Sequence, residues 1–212
     1  MCSRSPVGDA LCAGRKAAGR GGLIPGLMVG LLGVAGVLGV PAYAAAQTYF
    51  ADNGYVEFVS RAPLLEFKGV SSTLTGFVDL EAGTVDFFID LETLDTDNRR
   101  RDRDMRRNYL ETARHPFAEF MGEIRSALDP TALDDTPVQV LGSFTMRGIS
   151  RELEVTGSVT REGDGLRLRA SWALELSDFN IDRPRVVFYE LSDTQTINID
   201  ILLRPGSPPG SL

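Results

Sequence analysis

Apolar and polar residues alternate along most of the chain from Gly54 onward. A period of two residues predicts β-strands that bury one face. Alternating stretches occur at residues 56–60, 74–80, 85–91, 120–124, 138–146, 153–159, 166–176 and 197–201. Short turns at residues 81–83, 147–148 and 161–165 separate several of these stretches and favour hairpins. The pattern therefore predicts about eight strands in an antiparallel meander.

An antiparallel sheet with one apolar face must cover that face, and closure into a barrel does so while removing the exposed edges. We therefore predict an all-β fold, a single antiparallel eight-stranded β-barrel over residues 47–204. A short helix rich in Arg and Asp interrupts the strands at residues 98–106. Residues 205–212, with the sequence PGSPPGSL, are predicted to form a disordered tail.

The strand pattern places ten apolar residues on the inner face of the barrel. They are Phe58, Phe87, Ile89, Phe120, Phe144, Val155, Trp172, Leu174, Ile197 and Ile199. An eight-stranded barrel has an interior that side chains can just fill, or that can hold one small ligand. The ten residues therefore form either a packed core or the wall of an apolar cavity, and the alternation alone leaves both open.

The first 46 residues have the layout of a secretory signal peptide. Basic residues up to Arg20 precede an uncharged run from Leu23 to Val40, and small-residue cleavage patterns follow at residues 42–44 and 44–46. We therefore expect residues 1–46 to be removed and the protein to be periplasmic or secreted. An uncleaved membrane anchor is the alternative, because the apolar run is near the lower length limit for spanning a bilayer.

The charge balance argues against several classes of partner. The chain has 22 basic and 29 acidic residues, a net charge of −7. Without the first 46 residues the balance is 18 against 28, a net charge of −10. We therefore expect no non-specific binding to nucleic acid or to an anionic membrane surface.

Catalytic and metal chemistry has little support in the sequence. Both cysteines, Cys2 and Cys12, lie in the predicted signal peptide, and His115 is the only histidine. A barrel without cysteine has no disulfide, thiolate metal site or cysteine nucleophile. A single histidine next to a proline suits a turn better than a zinc site or a catalytic triad. We therefore expect a non-catalytic protein with no cofactor and no metal.

The helical segment combines six arginines with two aspartates over residues 98–107. Arg100 and Asp104 are four residues apart, as are Asp102 and Arg106, and this spacing lets opposite charges pair on a helix. The first interpretation is a solvated, self-neutralising helix that caps one end of the barrel. In the second, three arginines lie at the barrel mouth and hold a phosphate head group. These are Arg99, Arg103 and Arg106.

Several short motifs follow one another in a recognisable order. They are Phe67-Lys68-Gly69, Leu74-Thr75-Gly76-Phe77, the Arg/Asp helix with Tyr109-Leu110, His115-Pro116 with Phe120, the hairpin of residues 142–151 and Ser177-Asp178-Phe179-Asn180-Ile181. In these motifs the chain resembles the YceI-like family, from Gly54 to Arg204. It departs from the family at Asp104-Met105, where many members have a His-Leu pair, and at Asn180, which replaces the usual glycine.

The resemblance implies a secreted, lipocalin-like barrel that binds a polyisoprenoid or another long-chain lipid, such as an acyl or amide lipid. The ten inward residues would then line an apolar cavity. The resemblance also implies a cell-envelope protein without catalytic activity. The alternative is a filled barrel that acts through its surface as a stress-response or protein-interaction module. The identity of the lipid and the oligomeric state, a homodimer included, stay open.

Overall fold

The computed structural model describes residues 48–63, 65–183, 185–186 and 189–210. The predicted signal peptide, residues 1–46, lies outside the described residues, so its cleavage stays a prediction. None of the helices within the described ranges is long and apolar enough to cross a bilayer.

Eight antiparallel strands close into one barrel, which confirms the predicted fold class. The strands are β1 (Thr48–Ala62), β2 (Leu65–Asp79), β3 (Thr84–Asp90), β4 (Phe117–Ile124), β5 (Thr136–Met146), β6 (Ile149–Glu162), β7 (Gly165–Glu175) and β10 (Thr194–Pro205). From β1 to β7 each strand pairs with the next along the chain, and β10 lies between β7 and β1 to close the barrel. A separate two-stranded hairpin, β8 (Arg185–Val186) and β9 (Tyr189–Glu190), precedes β10 and was not predicted.

Burial along the strands follows the alternation of the sequence. On β5, Val138, Val140, Phe144 and Met146 are buried, whereas Gln139 is exposed. The buried side chains of all eight strands meet in one core cluster inside the barrel. The period of two therefore directs one face of each strand inward.

Strand β1 begins six residues earlier than the alternation indicates. Its register shifts between Phe50 and Tyr55, and the two consecutive residues Asp52 and Asn53 are both exposed. Such a bulge breaks the period of two. The buried Tyr49 on the far side of the bulge was therefore missed.

Four side chains that are almost completely buried close one end of the barrel. Tyr49, Leu166, Ile201 and Leu203 are each no more than 1% exposed, and they lie at the start of β1, the start of β7 and the end of β10. The connection between β4 and β5 adds the buried Leu133, whose carbonyl oxygen accepts a hydrogen bond from the β6 backbone. We call this end the closed end.

The opposite end is covered by residues 91–116, which connect β3 to β4 and which we call the cap. The cap contains a 3-10 turn at Leu91–Thr93, helix α1 at Arg99–Asp104 and a π-helical turn at Met105–Tyr109. The Asn98 side chain accepts hydrogen bonds from the backbone N–H groups of Arg100 and Arg101, which caps the start of α1. The predicted short Arg/Asp helix therefore forms between the predicted strands.

The C-terminal strand continues slightly into the predicted tail. Pro205 pairs with Tyr49, and the Gly206 N–H donates a hydrogen bond of 3.0 Å to the carbonyl oxygen of Thr48. The strand therefore ends one residue later than the boundary predicted from composition.

Candidate functional site

A cavity of about 670 Å³ occupies the barrel interior. Close-packed protein interiors leave few voids larger than a water molecule, so a space of this size is not an ordinary packing defect. Its volume falls within the range of ~300–1,000 Å³ that small-molecule sites have. The interior is therefore open and not completely filled by side chains, whereas action through the outer surface stays an alternative.

The structure brings all ten predicted inward residues together on the wall of this cavity. They are Phe58, Phe87, Ile89, Phe120, Phe144, Val155, Trp172, Leu174, Ile197 and Ile199. Phe144 packs edge-to-face against Trp172, with ring centroids 6.5 Å apart, and against Phe179 at 5.5 Å. Edge-to-face contacts of this kind hold aromatic rings in fixed orientations. The wall is therefore an ordered apolar surface, and its role in ligand binding stays a prediction.

The cavity is apolar at the closed end and polar at the cap end. Its polar lining residues are Ser60, Asn98, Arg100, Arg101, Asp104, Asn108, Glu119 and Gln195, which belong to the cap or to the strand ends beside it. Asn98, Arg100 and Asn108 are also exposed to solvent, so the cavity reaches the surface at the cap. The polar groups of the cavity are therefore gathered at its open end.

A buried aspartate fixes the first half of the cap. Asp102 is 7% exposed and Thr96 is 4% exposed. The Asp102 carboxylate accepts hydrogen bonds from the Thr96 N–H at 2.9 Å and from the Thr96 hydroxyl at 2.6 Å. Because carboxylate hydrogen bonds are among the stronger ones in proteins, this contact ties α1 to the preceding loop.

Arg101 joins the same loop to the barrel wall. Its guanidinium lies 4.0 Å from the centre of the Phe67 ring on β2, a cation–π contact. It also donates hydrogen bonds of 2.9 Å to the hydroxyl and to the carbonyl oxygen of Thr96. The guanidinium of Arg101 is therefore occupied by contacts that stabilise the cap, although the side chain also lines the cavity.

A second arginine fastens the end of the cap. Arg147, in the turn between β5 and β6, donates hydrogen bonds to the Glu111 carboxylate and to the Asn180 carbonyl oxygen. All three residues have positive φ, between 52° and 54°. The guanidinium of Arg147, and next that of Arg114, hold the pKa of Glu111 below its usual value of 4.5. One side chain therefore stabilises three turns around the cap end.

The predicted head-group arginines do not line the cavity. Arg99, Arg103 and Arg106 instead line a separate shallow depression on the outer face of the cap. The arginines on the cavity side are Arg100 and Arg101. The sequence left the rotation of this short helix undetermined, because its arginines occupy neighbouring positions all around it.

The predicted ion pairs along the helix are also absent. Asp102 binds Thr96 instead of Arg106, and Arg106 donates a hydrogen bond of 2.8 Å to the carbonyl oxygen of Leu94. Asp104 lines the cavity without an ion pair to Arg100 among the described residues. The helix is therefore held by contacts with its own loops and not by pairing along its surface.

Sequence reasoning missed several polar residues of the site. Gln195 is 5% exposed, lines the cavity and donates a hydrogen bond of 2.7 Å to the carbonyl oxygen of Ser192. It lies two residues before Ile197 on the same inward face, so extending the alternation would have found it.

Among the described residues, no three His, Cys, Asp or Glu side chains are grouped to hold a metal ion.

Comparisons with known proteins agree with this architecture. The family model of the YceI-like domain matches residues 51–203. A polyisoprenoid binding domain from Saccharophagus degradans, implicated in plant cell wall breakdown, has a TM-score of 0.64 at 16% identity, with 76% of this chain and 99% of that chain covered. BcnA from Burkholderia cenocepacia has a TM-score of 0.60 at 17% identity, with coverages of 76% and 98%. No curated protein matches the chain.

Proposed function

The chain belongs to the YceI-like family, and we propose that it binds one long-chain apolar lipid inside the barrel without catalysing a reaction. The cavity of about 670 Å³ carries this proposal. An empty apolar space of this size forfeits the dispersion contacts of its lining, and that loss destabilises a folded protein. A bound apolar chain would restore these contacts.

Apolar burial is the main source of affinity in this account. Each Å² of apolar area removed from water contributes about 25 cal/mol, before the cost of ordering the chain is subtracted. An enclosed isoprenoid or acyl chain therefore binds without many polar contacts. Selectivity then depends on chain length and branching more than on the head group. The neighbour described as polyisoprenoid binding supports the isoprenoid class as the first to test.

The polarity of the cavity gives the ligand an orientation. The apolar end of the chain would lie at the closed end, beside residues such as Val78, Val159 and Leu166. The polar end would lie at the cap, where Arg100 is exposed and has no ion-pair partner among the described residues. Arg100 therefore replaces the predicted Arg99, Arg103 and Arg106 as the candidate contact for a phosphate or hydroxyl head group.

The proposed location is the cell envelope, in the periplasm or outside the cell. It is supported by the signal-peptide pattern of residues 1–46, which places basic, apolar and small residues in the required order. N-terminal sequencing of the protein exported by its host tests this part. A mature chain that starts near Gln47 supports cleavage and release, and an exported chain that starts at Met1 contradicts cleavage and supports the membrane anchor instead.

Native mass spectrometry followed by organic extraction tests the proposed function. The mature protein should carry a discrete added mass that extracts as an isoprenoid or acyl lipid. Protein stripped of lipid should take up a prenol of matching length. A bare polypeptide that also refuses added prenols and fatty acids would reject the proposal.

A further inference from the structure

The positive charge of this acidic protein is concentrated in the cap. Residues 99–114, the second part of the cap, contain seven arginines and three acidic residues, a net charge of +4. The whole cap, residues 91–116, also contains Glu92, Asp95 and Asp97 and has a net charge of +1. Residues 47–212 have a net charge of −10, with 18 basic against 28 acidic residues, so the part outside residues 99–114 has a net charge of −14. The arginines of the cap are therefore clustered in its second part, at the end at which the cavity reaches the surface.

The outer face of the cap presents arginines that are not neutralised. Arg99, Arg103 and Arg107 are exposed, border the same shallow depression, and have no ion-pair partner among the described residues. Three acidic residues border the same depression, and each has another partner. Asp102 binds Thr96, Glu111 binds Arg147 and Arg114, and the exposed Glu92 accepts a hydrogen bond from the Thr112 hydroxyl. These three guanidiniums are therefore available to an anionic partner.

Two exposed aromatic rings lie on the strands that lead into and out of the cap. Phe88 and Phe117 are 40% and 43% exposed, and their rings contact edge-to-face with centroids 5.9 Å apart. Phe88 lies near the end of β3, and Phe117 is the first residue of β4, so both flank the points where the chain enters and leaves the cap. Their cross-strand partners are Glu119 and Asp90. Basic residues combined with aromatic residues are the composition of helices that lie in the interface of a bilayer.

We propose that the outer face of the cap, together with Phe88 and Phe117, docks on an anionic lipid bilayer. The arginines would contact the lipid head groups, and the two phenylalanines would enter the interfacial layer. The acidic remainder of the barrel is repelled by the same surface, so only the cap end approaches it. Docking then places the cavity mouth against the membrane. The arginine-bearing face lies outside the proposed lipid cavity, although Phe88 also lines that cavity. Docking does not require the cavity to bind lipid.

The charge balance predicts no non-specific attraction to such a membrane, and the proposal departs from this prediction because of where the charges lie in the folded protein. A net charge of −10 describes the whole barrel. Interactions between exposed charges are screened beyond about 8–10 Å at physiological salt, so a surface responds to the nearest charges. For a membrane that faces the depression on the cap, those charges are the exposed Arg99, Arg103 and Arg107, with Glu92 beside them.

Vesicle flotation tests the proposal with the mature protein, residues 47–212. The vesicles contain either pure phosphatidylcholine or phosphatidylcholine with phosphatidylglycerol. The protein should float with the anionic vesicles at low salt, stay dense with the neutral vesicles, and be released by high salt. Arg103→Gln/Arg107→Gln should lower the partition constant by about thirtyfold, about fivefold for each arginine beside an anionic surface. Phe117→Ser should weaken binding separately, because its ring contributes apolar contact.

The matched control changes the same number of arginines at the closed end. Arg125→Gln/Arg204→Gln removes two exposed arginines beyond the end of β4 and near the end of β10, and it should leave flotation unchanged. Equal losses in both double variants would overturn the proposal, because they would show a response to net charge alone. A protein that stays dense with both vesicle types would also overturn it and would favour an acidic protein as the partner of this surface. Prenol uptake in vesicle-free solution separates either failure from failure of the proposed function.

Discussion

The ring of Phe58 lies directly against its cross-strand partner Gly69, with no space for a side chain between them. A β-carbon at position 69 would lie 2.0 Å from Cε1 of the ring. The same relationship recurs between Phe87 and Gly76, where the corresponding distance is 2.5 Å. The two rings thus occupy wall space that a side chain on the neighbouring strand would otherwise fill. Gly69 and Gly76 therefore leave room for two aromatic rings on the wall, so the rings do not have to project further into the cavity.

Gly69→Ala should force the Phe58 ring toward the centre of the cavity. Overpacking of this kind costs about 1–3 kcal/mol of stability, and the displaced ring should also reduce the uptake of long chains. Denaturant unfolding and native mass spectrometry measure the two effects. Ser72→Ala, at an exposed position on the same strand, is the control. Unchanged stability and uptake in Gly69→Ala would show that the close approach is unimportant.

Asp102→Ala should loosen the cap and leave the barrel folded. The substitution strips the buried Thr96 N–H and hydroxyl of their carboxylate partner, and an unsatisfied buried polar group costs about 1–3 kcal/mol. Hydrogen exchange should therefore speed up at cap amides such as that of Leu110, while strand amides keep their protection. Asp86→Ala removes an exposed carboxylate on β3 and should have no such effect. Equal protection of the cap in both variants would refute this role of Asp102.

The contact between Glu111 and Arg147 should make cap stability depend on pH. The pKa of Glu111 is lower in the folded protein than its usual value of 4.5, because Arg147 and then Arg114 stabilise the carboxylate. Its stabilising effect is therefore complete above that value and is lost as the pH falls through the lower folded pKa. The stability advantage of wild type over Glu111→Gln should be constant near neutral pH and disappear in acid. A difference that persists unchanged in acid would contradict this assignment.

A large side chain in the middle of the wall should exclude long ligands. Ile199 lines the cavity on β10, so Ile199→Trp places an indole in the proposed ligand space. Mass spectrometry should show lost uptake of long prenols and fatty acids, with circular dichroism retaining the strand signal. Ser171→Trp adds the same side chain at an exposed position on the neighbouring β7 and should bind like wild type. Full uptake by Ile199→Trp would place the ligand outside the barrel.

The alternation of the sequence predicted the barrel and its inner wall because both depend on the same period of two. Phe58, Trp172 and Ile199 could be assigned to the wall without knowing their neighbours. The start of β1 could not be predicted in this way, since a bulge between Phe50 and Tyr55 separates Tyr49 from the regular alternation. The order of motifs predicted the YceI-like family, and the match over residues 51–203 confirms it.

The arrangement of the cap could not be predicted in the same way. Six arginines within residues 98–107 leave no apolar stripe from which to read the rotation of α1. The burial of Asp102 depends on Thr96, six residues earlier, and the clamp on Glu111 comes from Arg147, 36 residues later. Arginines on the cavity side and on the outer side therefore become distinct only in the folded protein.

Quenching of Trp172 fluorescence tests most directly the claim that the lipid binds inside the barrel. Trp172 is the single tryptophan of the chain and lies on the cavity wall. A long-chain lipid with a bromine pair midway along its chain quenches tryptophan only at close range. Its addition should lower the emission of Trp172, whereas the same lipid without bromine should not. Emission that stays equal with both lipids, while mass spectrometry shows both bound, would contradict a ligand inside the barrel.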